Sequence, residues 1–166
     1  MRITDLLKAC SGELNGKPQT KEETIEQMVA LMEKGGNVTD VEKYKAGVFA
    51  REEEGTTGIG EGIAIPHAKT DAVNAPGLAA MVIPAGVDYD ALDGQPVDLV
   101  FLIAAPNTED NVHLEVLSRL SMLLMDESFK QNLLKAKTVE EFLAVVDRAE
   151  NAKNEAEEEK AVNVPD

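Results

Sequence analysis

The sequence contains two histidines, and the first of them, His67, stands in a setting that favours chemistry. Imidazole is a nucleophile or a general base near neutral pH. His67 follows a short strand pattern at residues 63–65 and Pro66, which cannot donate to a sheet and so ends the pairing. Glycines at 58, 60 and 62 let the preceding backbone turn tightly and approach a ligand. α/β proteins commonly build sites at strand ends, although a histidine there, taken alone, is more often structural or merely exposed.

The second histidine, His113, opens a predicted helix. Leu117, Leu120 and Leu124 follow it at i+4, i+7 and i+11, which predicts a side chain that points along the apolar face toward a sheet. The N-terminus of a helix offers free N–H groups and the positive end of the dipole, which favour an anion such as phosphate. The alternative is a histidine at the edge of the core that bonds a backbone carbonyl, and the local pattern by itself favours this alternative.

Two charged residues are candidates to complete a site around His67. Arg51 ends the second predicted helix, where a cation is electrostatically favoured, and its guanidinium is also a bidentate clamp for phosphate. Glu61 lies two residues before Ile63 and is either a surface carboxylate or the partner that fixes the tautomer of His67. The local sequence leaves both pairs of alternatives open.

Other chemistries fit the sequence less well. Two histidines without a cysteine cluster fit a zinc site poorly, and the single cysteine, Cys10, excludes a disulfide framework. Lys8 is the only basic neighbour of Cys10, so we do not expect this thiol to act as a nucleophile. The chain has no Gly-x-Ser-x-Gly nucleophile elbow, and its Gly-x-Gly-x-Gly run lacks the Lys-Ser/Thr of a P-loop. We therefore expect no metal and no cofactor.

Length and charge narrow the class of protein further. The chain has 166 residues, with 16 basic and 31 acidic side chains and a formal net charge of −15. This length predicts one domain with its own core. The charge argues against nucleic acid and anionic membranes as partners and suits a basic protein. No signal peptide and no apolar run near the roughly 20 residues of a membrane span occur, so we expect a cytoplasmic protein without membrane insertion.

Capping patterns and apolar periods predict the helices. Three capping boxes are predicted at Thr20/Glu23, Thr39/Glu42 and Thr138/Glu141, with glycines at 35 and 55 ending the first two helices. Further helical pattern covers residues 110–136, with a break and a new cap at 126–128. Its first half carries a predicted apolar stripe, formed by Leu114, Leu117, Leu120 and Leu124.

Three short aliphatic segments in the middle of the chain predict strands. They cover residues 62–68, 78–87 and 97–105, each bounded by Gly, Pro, Asp or Asn. The third is nearly continuous in apolar residues, which is typical of a strand covered on both faces. Helices before and after these strands predict an α/β (α+β) fold, a three-layer α/β/α sandwich. We expect a domain over residues 1–149 and, over 150–166, an acidic, disordered tail or interdomain linker.

The motifs around both histidines resemble those of a known family. Residues 50–69 contain Arg-Glu, Gly-Ile-Gly and Ile-Pro-His in that order, residues 92–97 read Leu-Asp-Gly-Gln-Pro-Val, and a second histidine opens a leucine-striped helix. Together they resemble the fructose/mannitol-type EIIA domains of the bacterial phosphoenolpyruvate-dependent sugar phosphotransferase system. The resemblance covers about residues 1–148, and it implies a mixed sheet with helices on both faces.

The resemblance also implies a function, that of a phosphotransferase that carries phosphate as phosphohistidine. In this family the histidine of Ile-Pro-His, here His67, accepts a phosphoryl group from phospho-HPr. It passes the group to an EIIB domain, often in the same polypeptide, for sugar uptake, here of the fructose type. His113 assists, and Arg51 and Glu61 line the same site. No metal is needed, because protein donors can neutralise the charge of the phosphoryl oxygens.

One segment departs from the family pattern, and two other functions stay open. Residues 9–17 are a poor strand by propensity where the family has an apolar first strand, which predicts a short or irregular sheet edge. A regulator of the nitrogen-related branch would share the fold and bind proteins according to its phosphorylation state. A binding domain in which His67 is never phosphorylated is a more distant alternative.

Overall fold

The computed structural model describes residues 2–162 of the chain, with side chains up to residue 158. The elements follow one another in this order: α1 (Ile3–Leu6), β1 (Leu7–Glu13), α2 (Lys21–Lys34), α3 (Val41–Glu54), β2 (Gly58–Gly60), β3 (Ile63–Ala64), β4 (His67–Thr70), β5 (Gly77–Val87), β6 (Val97–Pro106), α4 (Val112–Leu124), α5 (Glu127–Lys135) and α6 (Val139–Val162).

The six strands form one mixed sheet around the antiparallel pair β5 and β6. β1 pairs parallel to β5 on one side, and β3 and β4 pair parallel to β6, one after the other, on the other side. β2 adds to β3 in the antiparallel sense. Among the described residues β4 pairs only with β6, so its outer edge is open.

Helices cover both faces of this sheet. Val100 and Leu102 of β6 pack in a cluster with the apolar side chains of α2 and α3. Leu99 and Phe101, which alternate with them, pack in a second cluster with α1, α4, α5 and α6. Alternate residues of a strand point to opposite faces, so the two clusters are the two sides of one sheet. The predicted three-layer α/β/α sandwich is confirmed.

The predicted strand over residues 62–68 is two strands with a break at Ile65 and Pro66. Ile65 donates its N–H to the carbonyl of Thr57 (3.0 Å) instead of to β6. Pro66 has no N–H to give, and its carbonyl accepts from Ile103 (3.0 Å). The chain then re-enters the sheet as β4, whose first residue is His67. The glycine run also holds a strand, β2, which sequence patterns did not predict.

In two of the three predicted capping boxes the threonine cap is confirmed, and the third cap is wrong by a residue. Glu23 and Glu141 donate their N–H groups to Thr20 and Thr138 at 3.1 Å each. In α3 the capping side chain is Asp40, which accepts from the N–H of Lys43 at 3.1 Å, because the Thr39 hydroxyl is bonded elsewhere. That hydroxyl donates to the carbonyl of Ala72 (3.0 Å) and ties α3 to the segment after β4.

The first strand confirms the prediction of an irregular sheet edge. β1 pairs with β5 at Leu7 and again from Gly12 onward, with a shift of register between them. The intervening residues 8–10 are exposed, as expected for a segment of low strand propensity at an edge.

The acidic segment after residue 149 differs from the expected loose tail over the described residues. Residues 150–162 continue α6 as a helix. Glu150 is buried and its carboxylate accepts from the N–H of Ile3 (2.8 Å), so its place in the fold is fixed by α1. The last four residues of the predicted tail, 163–166, lie outside the described residues. Within residues 2–162 no helix has both the length and the apolar character to cross a bilayer.

Candidate functional site

His67 lies at the start of β4, next to the open edge of the sheet. It pairs with Ile103 of β6, a residue of the cluster beneath α4, so its side chain points to the α4 side of the sheet and is partly exposed. The ring nitrogen Nδ1 lies 3.0 Å from the carbonyl oxygen of Ile65. A carbonyl can only accept, so Nδ1 carries the proton and Nε2 keeps a free lone pair. The turn through Pro66 therefore presents an imidazole whose nucleophilic nitrogen is Nε2.

His113, the second residue of α4, stands beside His67. The two ring centroids are 6.3 Å apart with the planes tilted by 33°. Its Nδ1 is buried and finds no hydrogen-bond partner among the described residues, so the carbonyl-bonded alternative is not what the structure holds. Burial lowers the pKa of His113 below its ordinary 6.5, and the neighbouring His67 and Lys69 lower it further. The second ring is therefore neutral at pH 7 and can gain a proton when negative charge arrives.

The helix that carries His113 begins without a side-chain cap. Asn111 occupies the cap position and gives no side-chain hydrogen bond to the first turn. Backbone N–H groups there are open to an external acceptor. Leu114, predicted within the apolar stripe, is 51% exposed, and Val116 and Leu123 are buried instead. The predicted stripe is therefore confirmed at Leu120 and Leu124 and wrong at Leu114, the residue after His113.

Lys69 belongs with His67 and His113 in this site, and the sequence analysis did not single it out. It lies two residues after His67 on β4, so both side chains point to the same face of the sheet. It is close enough to His113 to lower the pKa of that ring. Among the described residues it has no ion-pair partner within 4.0 Å. The i, i+2 spacing of His67 and Lys69 in a strand was the signal that could have identified it.

Arg51 lies in the last turn of α3, which runs along β4. Gly47 lies one turn earlier in α3, and a Cβ at that position would be 3.4 Å from the Cβ of Ala68. The backbone of α3 therefore packs closely on the residue after His67. The guanidinium Nη1 of Arg51 donates to the carbonyl of Gly55 (2.8 Å) at the end of its own helix. Arg51 therefore stabilises the C-terminus of its own helix, which is one of the two interpretations from the sequence. To contact a phosphate, its guanidinium would have to release the carbonyl of Gly55.

Glu61 is placed away from His67. Ile63 pairs with Leu99 and His67 with Ile103, four residues further along β6, a separation of about 13 Å in a strand. Glu61 lies before Ile63 in the turn from β2, where its carbonyl accepts from Lys130 of α5. Of the two alternatives for Glu61, the structure does not show the one in which its carboxylate fixes the His67 tautomer, because the carbonyl of Ile65 lies at Nδ1. That Glu61 lines the site stays a prediction.

Comparisons with known proteins identify a family and relatives for this chain. A family model described as "Phosphoenolpyruvate-dependent sugar phosphotransferase system, EIIA 2" matches residues 6–149. The fructose-specific EIIABC component of Bacillus subtilis is 45% identical over 89% of this chain and 23% of that protein. The fructose-specific EIIA component of Haloferax volcanii is 41% identical over 88% of this chain and 99% of that protein. The chain thus spans about a quarter of the first relative and nearly all of the second.

Solved structures share the same fold. The nitrogen regulatory protein IIA-Ntr of Neisseria meningitidis superposes with a TM-score of 0.80 at 30% identity, over 86% of this chain and 97% of that one. The complex of enzyme IIAMTL with phosphorylated enzyme IIBMTL from Escherichia coli matches with a TM-score of 0.74 at 32% identity, over 86% and 99% of the two chains.

Proposed function

The chain belongs to the EIIA 2 family of the phosphoenolpyruvate-dependent sugar phosphotransferase system, and on this premise we propose that it carries a phosphoryl group on Nε2 of His67. The observation that supports this most strongly is the bond between Nδ1 of His67 and the carbonyl of Ile65. It holds the proton on one nitrogen and leaves the other nitrogen as a nucleophile at the protein surface.

The transfer consists of two displacements at phosphorus. In the first, the lone pair of Nε2 attacks the phosphorus of a phosphohistidine on the donor, and the broken P–N bond leaves its electron pair on the donor ring. Nδ1 of His67 keeps its proton throughout, held by the Ile65 carbonyl. In the second, the nucleophile of the acceptor attacks the same phosphorus, and Nε2 recovers its pair. Such transfers depend on in-line positioning and on charge stabilisation, because the phosphoryl oxygens carry the negative charge.

The surrounding groups supply that stabilisation. His113 gains a proton as the phosphoryl dianion arrives, and Lys69 brings a permanent positive charge from the same face of β4. The open N–H groups at the start of α4 add donors. Arg51 contributes when it exchanges the carbonyl of Gly55 for a phosphoryl oxygen. These donors act without a metal ion in this mechanism.

We propose two protein partners, of which the relatives support the EIIB domain and the resemblance to the family implies the donor. An EIIB domain is the acceptor, supported by the enzyme IIAMTL–IIBMTL complex and by the EIIABC relative, in which the matching segment is part of a longer chain. Phospho-HPr is the donor, the sugar is of the fructose type, and the exchange takes place in the cytoplasm. The net charge of −15 suits a basic surface on a protein partner.

The direct test of this function is a phosphorylation assay. The protein is incubated with phosphoenolpyruvate, enzyme I and HPr, and its intact mass is measured. We expect one added phosphoryl group, labile in acid and stable in alkali, as a phosphohistidine is. An unchanged mass, with HPr itself shown to be phosphorylated, would contradict the proposal.

A second candidate function has one observation in its favour. The structural match to a nitrogen regulatory protein suggests a regulator that binds other proteins according to its phosphorylation state. To distinguish the two functions, the phosphorylated protein is mixed with a fructose-type EIIB domain and the position of the phosphoryl group is followed. Transfer to EIIB supports sugar uptake, and phosphate retained on His67 supports regulation.

The protonation of His113 should change with phosphorylation. In the unmodified protein we expect its pKa below 6.5, because partial burial of the ring and the neighbouring His67 and Lys69 disfavour the charged form. After phosphorylation the dianion favours the charged form, so the pKa should rise. Since the chain has only two histidines, an NMR titration of the C–H signals resolves both. A pKa of His113 that is the same before and after phosphorylation would be evidence against contact between His113 and the phosphoryl group.

Removal of the Lys69 charge should slow the transfer. Lys69→Gln is expected to lower the rate of phosphorylation by about tenfold, the effect of about 1.4 kcal/mol on the barrier, and to raise the pKa of His113. Lys137→Gln removes the same charge from an exposed connection between α5 and α6 and should leave both quantities unchanged. Equal rates for the two variants would remove Lys69 from the site.

A further inference from the structure

A buried carboxylate, Glu52, follows Arg51 in α3 and takes no part in the chemistry described above. Its side chain is 5% exposed. Oε2 accepts from the N–H of Thr57 (3.1 Å) and pairs with the ammonium of Lys21 (2.9 Å). Oε1 accepts from the hydroxyl of Tyr89 (3.1 Å) and is hydrogen-bonded to the hydroxyl of Thr57. Both oxygens are therefore fully used.

The partners of Glu52 join separate parts of the fold. Lys21 opens α2, Thr57 lies between α3 and β2, and Tyr89 follows β5. The ammonium of Lys21 also lies 4.9 Å from the centre of the Tyr89 ring. Burial raises the pKa of the Tyr89 phenol well beyond its usual range, so the phenol remains a donor to the carboxylate. The donors on Lys21 and Tyr89 hold the carboxylate in one orientation. The carboxylate in turn holds Thr57 through its N–H and its hydroxyl.

A hydrogen-bonded path leads from Thr57 to His67. The carbonyl of Thr57 accepts from the N–H of Ile65 (3.0 Å). The carbonyl of Ile65 in turn holds Nδ1 of His67 (3.0 Å). One residue, Ile65, thus receives its position from Thr57 through its N–H and gives an orientation to the imidazole through its carbonyl.

The break in the sheet makes this path necessary. Ile65 lies between β3 and β4, and it is not among the paired residues of either strand. Its N–H is bonded to Thr57, and the next residue, Pro66, has no N–H. The bond to Thr57 is therefore the hydrogen bond that anchors the peptide of Ile65 on the side away from His67.

A purely structural role explains this arrangement less well. Buried ion pairs add little net stability, and well-packed apolar residues often replace them at no cost. What a fully bonded carboxylate supplies is a fixed geometry for the groups it binds. Here Glu52 fixes Thr57, Thr57 positions the peptide of Ile65, and the carbonyl of Ile65 sets the tautomer of His67.

We propose that Glu52 is a positioning residue for phosphoryl transfer, which through Thr57 and Ile65 keeps the proton of His67 on Nδ1 and its lone pair on Nε2. This rests on the proposed function of His67. Without Glu52 the Thr57 and Ile65 peptides relax, the Nδ1–H tautomer loses its preferred acceptor, and the population with a nucleophilic Nε2 falls.

The test compares Glu52→Ala and Glu52→Gln with Glu53→Gln, an exposed neighbour in the same helix. The tautomer of His67 is measured by nitrogen-15 NMR of the imidazole, and the transfer rate is measured against phospho-HPr concentration. In Glu52→Ala we expect a smaller Nδ1–H fraction and a saturating rate lower by about tenfold or more, with KM for phospho-HPr unchanged. Glu52→Gln keeps one carbonyl oxygen, so its Nδ1–H fraction and saturating rate should lie between those of Glu52→Ala and the wild type. Glu53→Gln should match the wild type in both quantities.

Folding is measured in parallel, since Glu52→Ala leaves three buried donors without an acceptor. If that variant does not fold, Glu52→Gln and Thr57→Val decide, because both keep the size of the side chain. Folded variants with the wild-type tautomer and rate would overturn the proposal. The NMR measurement needs no phosphate, so it tests Glu52 even if the wild type fails to accept a phosphoryl group, a result that would count against His67 as the acceptor instead.

Discussion

Replacement of His67 by alanine is expected to abolish phosphorylation of this protein by phospho-HPr. The structure presents one imidazole with its proton fixed by a carbonyl and its other nitrogen free, at the start of an edge strand. We do not expect His113 to substitute for it as acceptor, because Nδ1 of His113 is buried and the role that we propose for this ring is to stabilise the charge of the phosphoryl group. The measurement is the intact mass of His67→Ala after incubation with the complete phosphorylation system, next to the wild type.

The control for this variant must show that the fold is intact. His67 is partly exposed and its ring makes a single hydrogen bond, to Ile65, so alanine should leave the thermal unfolding midpoint nearly unchanged. A His67→Ala protein that still gains one acid-labile phosphoryl group would show that another residue is the acceptor.

Replacement of His113 by alanine should slow the transfer without abolishing it. The rings of His67 and His113 are 6.3 Å apart between centroids, which leaves room for a phosphoryl oxygen bound by both side chains. Loss of one preorganised donor to a developing charge costs about 100-fold in rate. We therefore expect phosphorylation of His113→Ala at about one hundredth of the wild-type rate, with the phosphoryl group still on His67, measured by rapid-quench transfer from phospho-HPr.

Two variants make this result specific. Ser118→Ala changes an exposed residue of the same helix and should transfer at the wild-type rate. His113→Gln keeps an N–H donor on a side chain of similar length and should recover part of the lost rate. If His113→Ala transferred as fast as Ser118→Ala, the second histidine would have no part in charge stabilisation.

Local sequence patterns predicted the parts of the fold that depend on neighbouring residues. The Thr20 and Thr138 caps and the burial of β6 on both faces follow from short-range rules, and the structure has them. The α3 cap was placed at Thr39 instead of Asp40 because a contact with Ala72, 33 residues away, takes the threonine hydroxyl. No local pattern contains that contact.

The site shows the same division. Pro66 marked His67 as a residue that follows a break in the pairing, and the second histidine was found at a helix start. For Glu61 the sequence left two alternatives open, and the tertiary structure was needed to show that the carbonyl of Ile65, not this carboxylate, is the partner of Nδ1. Lys69 was missed because its importance depends on α4, which packs on β4 from more than 40 residues further along. Local patterns therefore singled out His67 and His113, and the tertiary fold was needed to place the groups around them.

NMR of the phosphorylated protein, with nitrogen-15 in its histidine rings, identifies the atom that carries the phosphoryl group. We expect one phosphorus signal, coupled to Nε2 of His67, with Nδ1 of the same ring still protonated and hydrogen-bonded. Coupling of that signal to Nδ1 of His67, or to either nitrogen of His113, would contradict it.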